Sequence, residues 1–113
     1  MEAVIDGHED WQSALQVIEE MTEAAETHDF SRIMLDFSTV NMRIAVSETA
    51  DIARIFDSFA HRPMDLAIIP PLESKGRDTV EAFASHFGEM RHTVSVLISN
   101  QARADWVGAY RAS

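Results

Sequence analysis

The chain has 113 residues, of which 46% are hydrophobic and 25% charged, with a formal net charge of −10 and no cysteine. This composition predicts one globular domain covering residues 1–113, and it excludes disulfides, thiolate metal sites and cysteine nucleophiles. The acidic charge also argues against nucleic acid and membrane surfaces as partners, because both carry negative charge.

No segment of the sequence has the features of a membrane span or of a signal peptide. No apolar run approaches the roughly 18 residues that a membrane-spanning helix needs. The first residues lack the basic and apolar regions of a signal peptide. We therefore expect a cytoplasmic protein, and the absence of cysteine is compatible with a reducing compartment.

The N-terminal third predicts a strand, a helix and a second strand. Residues 3–5 form a short β-prone run that ends at the turn-forming pair Asp6-Gly7. Three consecutive apolar residues at 33–35 predict a buried strand over residues 32–37, followed by a loop over residues 38–46. Between the strands a helix is expected, since apolar residues recur at helical spacing: Trp11, Leu15, Ile18 and Ala25.

This first helix is unusually acidic. Residues 1–31 contain nine acidic side chains and no lysine or arginine, whereas residues 32–113 contain ten acids and nine bases. The acidic face is either a solvated helix surface or a surface for a basic patch on a partner protein.

The rest of the chain predicts two more strands and three more helices. Ser47 is a natural N-cap for a helix that ends before Pro63. The apolar run at 66–69 predicts a strand, residues 75–87 a helix, and the alternation over 93–98 the last strand. Asn100 is expected to cap a final short helix.

The order β-α-β-α-β-α-β-α predicts an α/β fold. Strands that are separated by helices pair in parallel through right-handed crossovers. We expect a single-layer, mostly parallel four-stranded sheet with helices packed on it. The side chains predicted to be buried together between helices and sheet are Leu35, Ile52, Phe56, Ile68, Phe83 and Val96.

The carboxyl ends of the strands are where an open α/β sheet binds ligands. Beside Lys75 and Arg77, the first amides of the third helix would suit a small anion. The alternative is that this rim is only loop and capping residues. The candidate rim residues are Ser38, Ser74, Lys75, Arg77 and Asn100.

The sequence has no motif for catalysis or for a cofactor. It lacks the glycine patterns of nucleotide-binding loops, and its five histidines are scattered without metal-ligand spacing. We therefore expect no catalytic residues, no metal and no cofactor, and predict that the protein is not an enzyme.

Three stretches resemble the STAS/SpoIIAA-like superfamily, the bacterial fold of anti-sigma-factor antagonists. Residues 33–38 (IMLDFS) are similar to its first central strand, residues 65–70 (DLAIIP) to the next, and residues 94–98 (VSVLI) with 102–107 (ARADWV) to its C-terminal end. The resemblance covers nearly the whole chain. It implies a regulatory, non-enzymatic module that binds a kinase-like or sigma-related protein.

The chain departs from that superfamily at two places. The Asp-Ser-Ser-Gly motif with its phosphorylated serine is replaced by residues 43–48 (RIAVSE), where Ser47 is the candidate phospho-switch position. The usual N-terminal hairpin is reduced to one strand, which is either an antiparallel neighbour of the sheet or an edge. Because an exposed edge invites pairing, we also predict a homodimer.

Overall fold

The computed structural model describes residues 2–9, 11–28 and 31–112, in which strands and helices alternate. A 3₁₀ turn (Val46–Glu48) directly precedes the second helix. The elements are β1 (Glu2–Glu9), α1 (Trp11–His28), β2 (Arg32–Met42), α2 (Thr49–Phe59), β3 (Asp65–Ile69), α3 (Ser74–Gly88), β4 (Thr93–Val96) and α4 (Asn100–Ala112).

The strands form one sheet in the order β1-β2-β3-β4, and every neighbouring pair is parallel. The predicted α/β class, with helices between parallel strands, is confirmed. β1 lies at an edge of the sheet, and the antiparallel alternative for it is wrong. The reason is the length of α1, whose 18 residues span about 27 Å at 1.5 Å per residue, enough to return the chain to the start of β2.

β1 and β2 are both longer than the local patterns predict. Asp6 and Gly7 do not form a turn but pair with Thr39 and Val40, and the segment predicted as a loop continues as strand to Met42. Each strand supplies backbone partners for the other, a long-range effect that turn propensity does not include. The first helix correspondingly begins at Trp11.

A β-bulge interrupts this pairing. Val4 pairs with Asp36 and Asp6 pairs with Thr39, so two residues of β2 face one residue of β1. A bulge leaves a backbone amide without a ladder partner. Here the Ser38 N–H donates to Oδ1 of Asp36 at 2.9 Å. The bulge therefore fixes the Asp36 side chain against the backbone where β2 bends.

The two faces of the sheet are covered by different helices. Strands in sequential order with right-handed crossovers place α1, α2 and α3 on one side. Their core includes Leu35, Ile52, Phe56 and Ile68 as predicted, whereas the predicted core residues Phe83 and Val96 are only half-buried and pack against it. On the opposite face α4 covers a smaller cluster of Met34, Ala67 and Leu97.

Two predicted helix caps are wrong. Ser47 lies inside the 3₁₀ turn, and α2 begins two residues later at Thr49. Asn100 is the first residue of α4, and the cap is Ser99, whose Oγ accepts the Ala102 N–H at 3.0 Å. In both cases the N-cap position belongs to a neighbouring residue, Glu48 for α2 and Ser99 for α4.

Candidate functional site

A cleft lies at the carboxyl ends of β2, β3 and β4. Its volume is about 570 Å³, within the range of small-molecule sites. The polar side of the lining includes Asp36, Ser38, Arg77, Asn100 and Arg103, and the apolar side includes Pro70, Pro71, Leu72 and Ile98. Parallel strands make such a cleft because all their chains leave the sheet at the same edge.

The cleft brings together three of the five predicted rim residues. Ser38 comes from the bulge in β2, Arg77 from the first turn of α3, and Asn100 from the start of α4. Ser74 and Lys75 are exposed at the start of α3 and do not line the cleft. Three of the predicted rim residues thus line one cleft at these strand ends, and two lie outside it.

Asp36 is the most buried charged group of the lining, with 13% of its side chain exposed. Burial raises the pKa of Asp36, but hydrogen bonds from the Ser38 hydroxyl and amide and the nearby charge of Arg103 outweigh burial, so that the pKa lies below its ordinary value. Asp36 is therefore a carboxylate at neutral pH. That Asp36 lines a cleft was not predicted from the sequence. The sequence feature that points to this role is its position directly after the apolar run at 33–35.

Two arginines line the cleft together with this carboxylate. Nη1 of Arg103 lies 3.9 Å from Oδ2 of Asp36, and the Arg103 side chain is 40% exposed. Arg77 is exposed, and its guanidinium makes no hydrogen bond or ion pair within the part of the chain that the structure describes. Arg103 was also missed from the sequence, because the pairing spans 67 positions and depends on α4 folding back over the sheet.

Large aliphatic side chains stand at both lips of the cleft. Leu72 is 91% exposed in the segment between β3 and α3, and Ile98 is 67% exposed between β4 and α4. The two lips thus come from different connections of the sheet. Because Asp36, Arg77 and Arg103 line the same cleft, its lining combines exposed aliphatic groups with charged groups.

Ser47, the candidate phospho-switch position, is exposed but does not line the cleft. It sits in the 3₁₀ turn, where the Glu48 carboxylate accepts the Ala45 N–H at 2.9 Å. Thr49 closes the turn through a hydrogen bond from its hydroxyl to the Val46 carbonyl, at 2.6 Å. The turn holds Ser47 at the surface directly before α2.

His92 forms a second polar cluster on the other side of the molecule. Its side chain is fully buried, its Nδ1 accepts the Met64 N–H at 2.9 Å, and its Nε2 lies 2.7 Å from Oδ1 of Asp57. Because Nδ1 is an acceptor, Nε2 carries the proton. Both ring nitrogens are used within the fold, and Arg91 also donates to Asp57 at 3.0 Å.

This cluster joins elements rather than forming a reactive site. His92 stacks on Phe87 with ring centroids 4.1 Å apart, and it connects α2 with the residues before β3 and β4. Among the described residues no group of three or more acidic or histidine side chains could hold a metal ion.

A small cavity of about 70 Å³ lies between the sheet and the helices α1, α2 and α3. Its lining is nearly all apolar and includes Val17, Phe37, Met42, Ile52 and Phe83. It contains no charged side chain, so it offers packing space rather than chemistry.

In comparisons with known proteins, no family model, no curated protein and no solved structure matches the chain. The resemblance to the STAS/SpoIIAA-like superfamily therefore stays a prediction. None of the helices within residues 11–28 and 31–112 is long and apolar enough to cross a membrane.

Proposed function

We propose that the chain is a non-enzymatic protein-interaction module of the SpoIIAA-like regulatory type, which receives a segment of a partner protein at the cleft. The observation that carries this proposal is the exposure of Leu72 and Ile98 on its two lips. Large aliphatic groups left in water around a concave surface are typical of a surface that a partner covers.

The regulatory part of the proposal comes from the sequence resemblance. A parallel sheet with helices between its strands is compatible with the fold that the resemblance implies. The expected partner is a kinase-like or sigma-related protein. Since the Asp-Ser-Ser-Gly motif is missing around Ser47, we base the contact on the cleft and not on a phosphorylated serine.

Binding of purified kinase-like and sigma-related proteins from the same genome, measured by calorimetry, tests the proposal. The double variant Leu72→Ser/Ile98→Ser should weaken binding about tenfold or more, as for buried anchors at an interface. Phe59→Ser is the matched control. Phe59 is also exposed (41%), but it is the last residue of α2 and does not line the cleft at the carboxyl ends of the strands. Unchanged binding by the double variant, or an equal loss in the control, would contradict the proposal.

A second candidate function is the binding of a small anion in the same cleft. The volume of about 570 Å³ and the two arginines favour it. Titration with phosphate and citrate, followed by the amide resonances of Ser38 and Asn100, tests this function. Saturable shifts that disappear in Arg77→Gln would support it, and shifts that rise linearly without saturation would exclude it.

A further inference from the structure

The cleft is locally cationic in an acidic protein. The chain carries a net charge of −10, yet the charged side chains that line the cleft are Asp36, Arg77 and Arg103. Of the two arginines, Arg103 lies 3.9 Å from the Asp36 carboxylate. Arg77 makes no ion pair within the described residues, so its positive charge in the cleft is uncompensated. An anion that enters the cleft is therefore attracted by the local positive charge, although the net negative charge of the chain repels it.

The positions of the two arginines favour an anion held between them. Arg103 reaches down toward Asp36, at 3.9 Å, and remains 40% exposed. Arg77 stands on the first turn of a different helix, α3, and lines the same cleft. Guanidinium groups donate several hydrogen bonds in a plane and match carboxylates well. The first turn of α4 at Asn100 adds the positive end of a helix dipole.

The fixed carboxylate of Asp36 limits the charge of the ligand. A phosphate dianion would bring more negative charge than the uncompensated charge of Arg77 balances, and it would enter a cleft that the Asp36 carboxylate also lines. A single carboxylate matches that charge. The exposed Leu72 and Ile98, which line the same cleft, favour a ligand that carries apolar groups beside the anion, and a free small anion has none.

We propose that the cleft accepts the carboxylate of an aspartate or glutamate side chain in a partner segment, with apolar residues of that segment covering Leu72 and Ile98. This inference rests on the proposed function and specifies the chemistry of the partner. The carboxylate pairs with Arg77 and Arg103, and the flanking aliphatic side chains remove the two lips from water.

The test uses capped synthetic peptides with one central glutamate flanked by leucines, and three matched probes. The probes are the same peptide with glutamine, the same peptide with phosphoserine, and free acetate. Each is titrated into the labelled full chain, and the amide resonances of Ser38, Asn100 and Arg103 are followed. With a dissociation constant on the order of 1 mM, the glutamate peptide should bind about three to five times more tightly than the glutamine peptide.

Two variants then separate the charge from the apolar lips. Arg77→Gln should abolish the preference for glutamate over glutamine, whereas Arg54→Gln should keep it, because exposed Arg54 pairs with Asp51 on α2. Leu72→Ser should weaken both peptides equally. The phosphoserine peptide should bind no more tightly than the glutamate peptide, and acetate should cause only weak shifts.

The outcomes distinguish this inference from the proposed function. If both leucine peptides shift the cleft resonances equally, or if Arg77→Gln retains the preference, the carboxylate inference is wrong while the interaction module stands. Tighter binding of the phosphoserine peptide would also overturn it. If no peptide shifts these resonances, both the inference and the use of this cleft for a partner segment are wrong.

Discussion

Gly76 lies in the first turn of α3, against a wall of the cleft. A Cβ atom at this position would lie 2.9 Å from Cγ of Pro71 and 3.3 Å from Cβ of Met42. Neither neighbour is the free end of a flexible side chain, so the chain would have to shift. Pro71 also lines the cleft, which links the packing at this glycine to the shape of the proposed binding site.

Gly76→Ala should therefore lower the free energy of unfolding by about 1–3 kcal/mol, the usual cost of overpacking. Gly88→Ala is the matched control on the same helix, because no atom lies within 4 Å of its added Cβ. It should leave stability unchanged or raise it by up to about 0.5 kcal/mol. Chemical denaturation measures both free energies of unfolding. Equal effects of the two substitutions would show that the neighbours of Gly76 accommodate an added methyl group without cost.

At the scale of the elements, the pairing of β2 with β3 supports the core. Leu35 and Ile68 are register partners, and they are 3% and 1% exposed. Leu35→Ala or Ile68→Ala should each lower the free energy of unfolding by about 2–5 kcal/mol. Ile98→Ala, at an exposed position, should change it by less than about 0.5 kcal/mol. Losses below about 1 kcal/mol at both core sites would contradict the central position of these strands.

The cluster around Asp57 connects α2 to the residues before β3 and β4. The hydrogen bond from Arg91, followed by that from His92, lowers the pKa of Asp57, although partial burial opposes the shift. Since the folded-state pKa is lowered, ionised Asp57 stabilises the fold above its unfolded pKa of about 3.9. That contribution is lost as the pH falls through the lower folded-state value.

Asp57→Asn should consequently reduce the loss of stability between about pH 5 and about pH 2, because the substituted side chain cannot take up a proton. Asp78→Asn, an exposed residue of α3 outside this cluster, serves as the control and should keep the acid dependence of the natural protein. Denaturant titrations at several pH values measure the effect. A full acid dependence in Asp57→Asn would show that this carboxylate does not contribute to it.

At the scale of the whole molecule, the edge position of β1 and the acidic charge bear on assembly. β1 is an edge strand of eight residues, and within the described residues its one neighbour in the sheet is β2. Unpaired edges invite a second copy. Four glutamates of α1, Glu19, Glu20, Glu23 and Glu26, are exposed. In a symmetric pair the acidic N-terminal regions of both chains would repel each other.

We therefore predict a homodimer that tightens as salt screens this repulsion. Light scattering at low and high salt measures the change, and Glu19→Gln/Glu23→Gln should reduce the salt dependence. A monomer at both salt concentrations would contradict the prediction.

Local patterns in the sequence were enough for the element order and most of the core. The apolar runs at 33–35 and 66–69 are buried strands because consecutive apolar residues suit a parallel sheet that is covered on both faces. The helical spacings likewise place Ile18, Ile52 and Phe56 in the core. These features depend on neighbours within a few positions, so the sequence by itself determined them.

Only the tertiary structure decided the length and direction of β1 and the composition of the cleft. Asp6 and Gly7 favour a turn locally, but pairing with Thr39 and Val40 outweighs that preference. Asp36 meets Arg103 because the strands end at one edge and α4 begins there. Such contacts join residues far apart in the chain, and no local spacing encodes them. The physical reason is that backbone hydrogen bonding and the interaction between charges depend on distance in space. The sheet sets those distances, and the order of residues in the sequence does not.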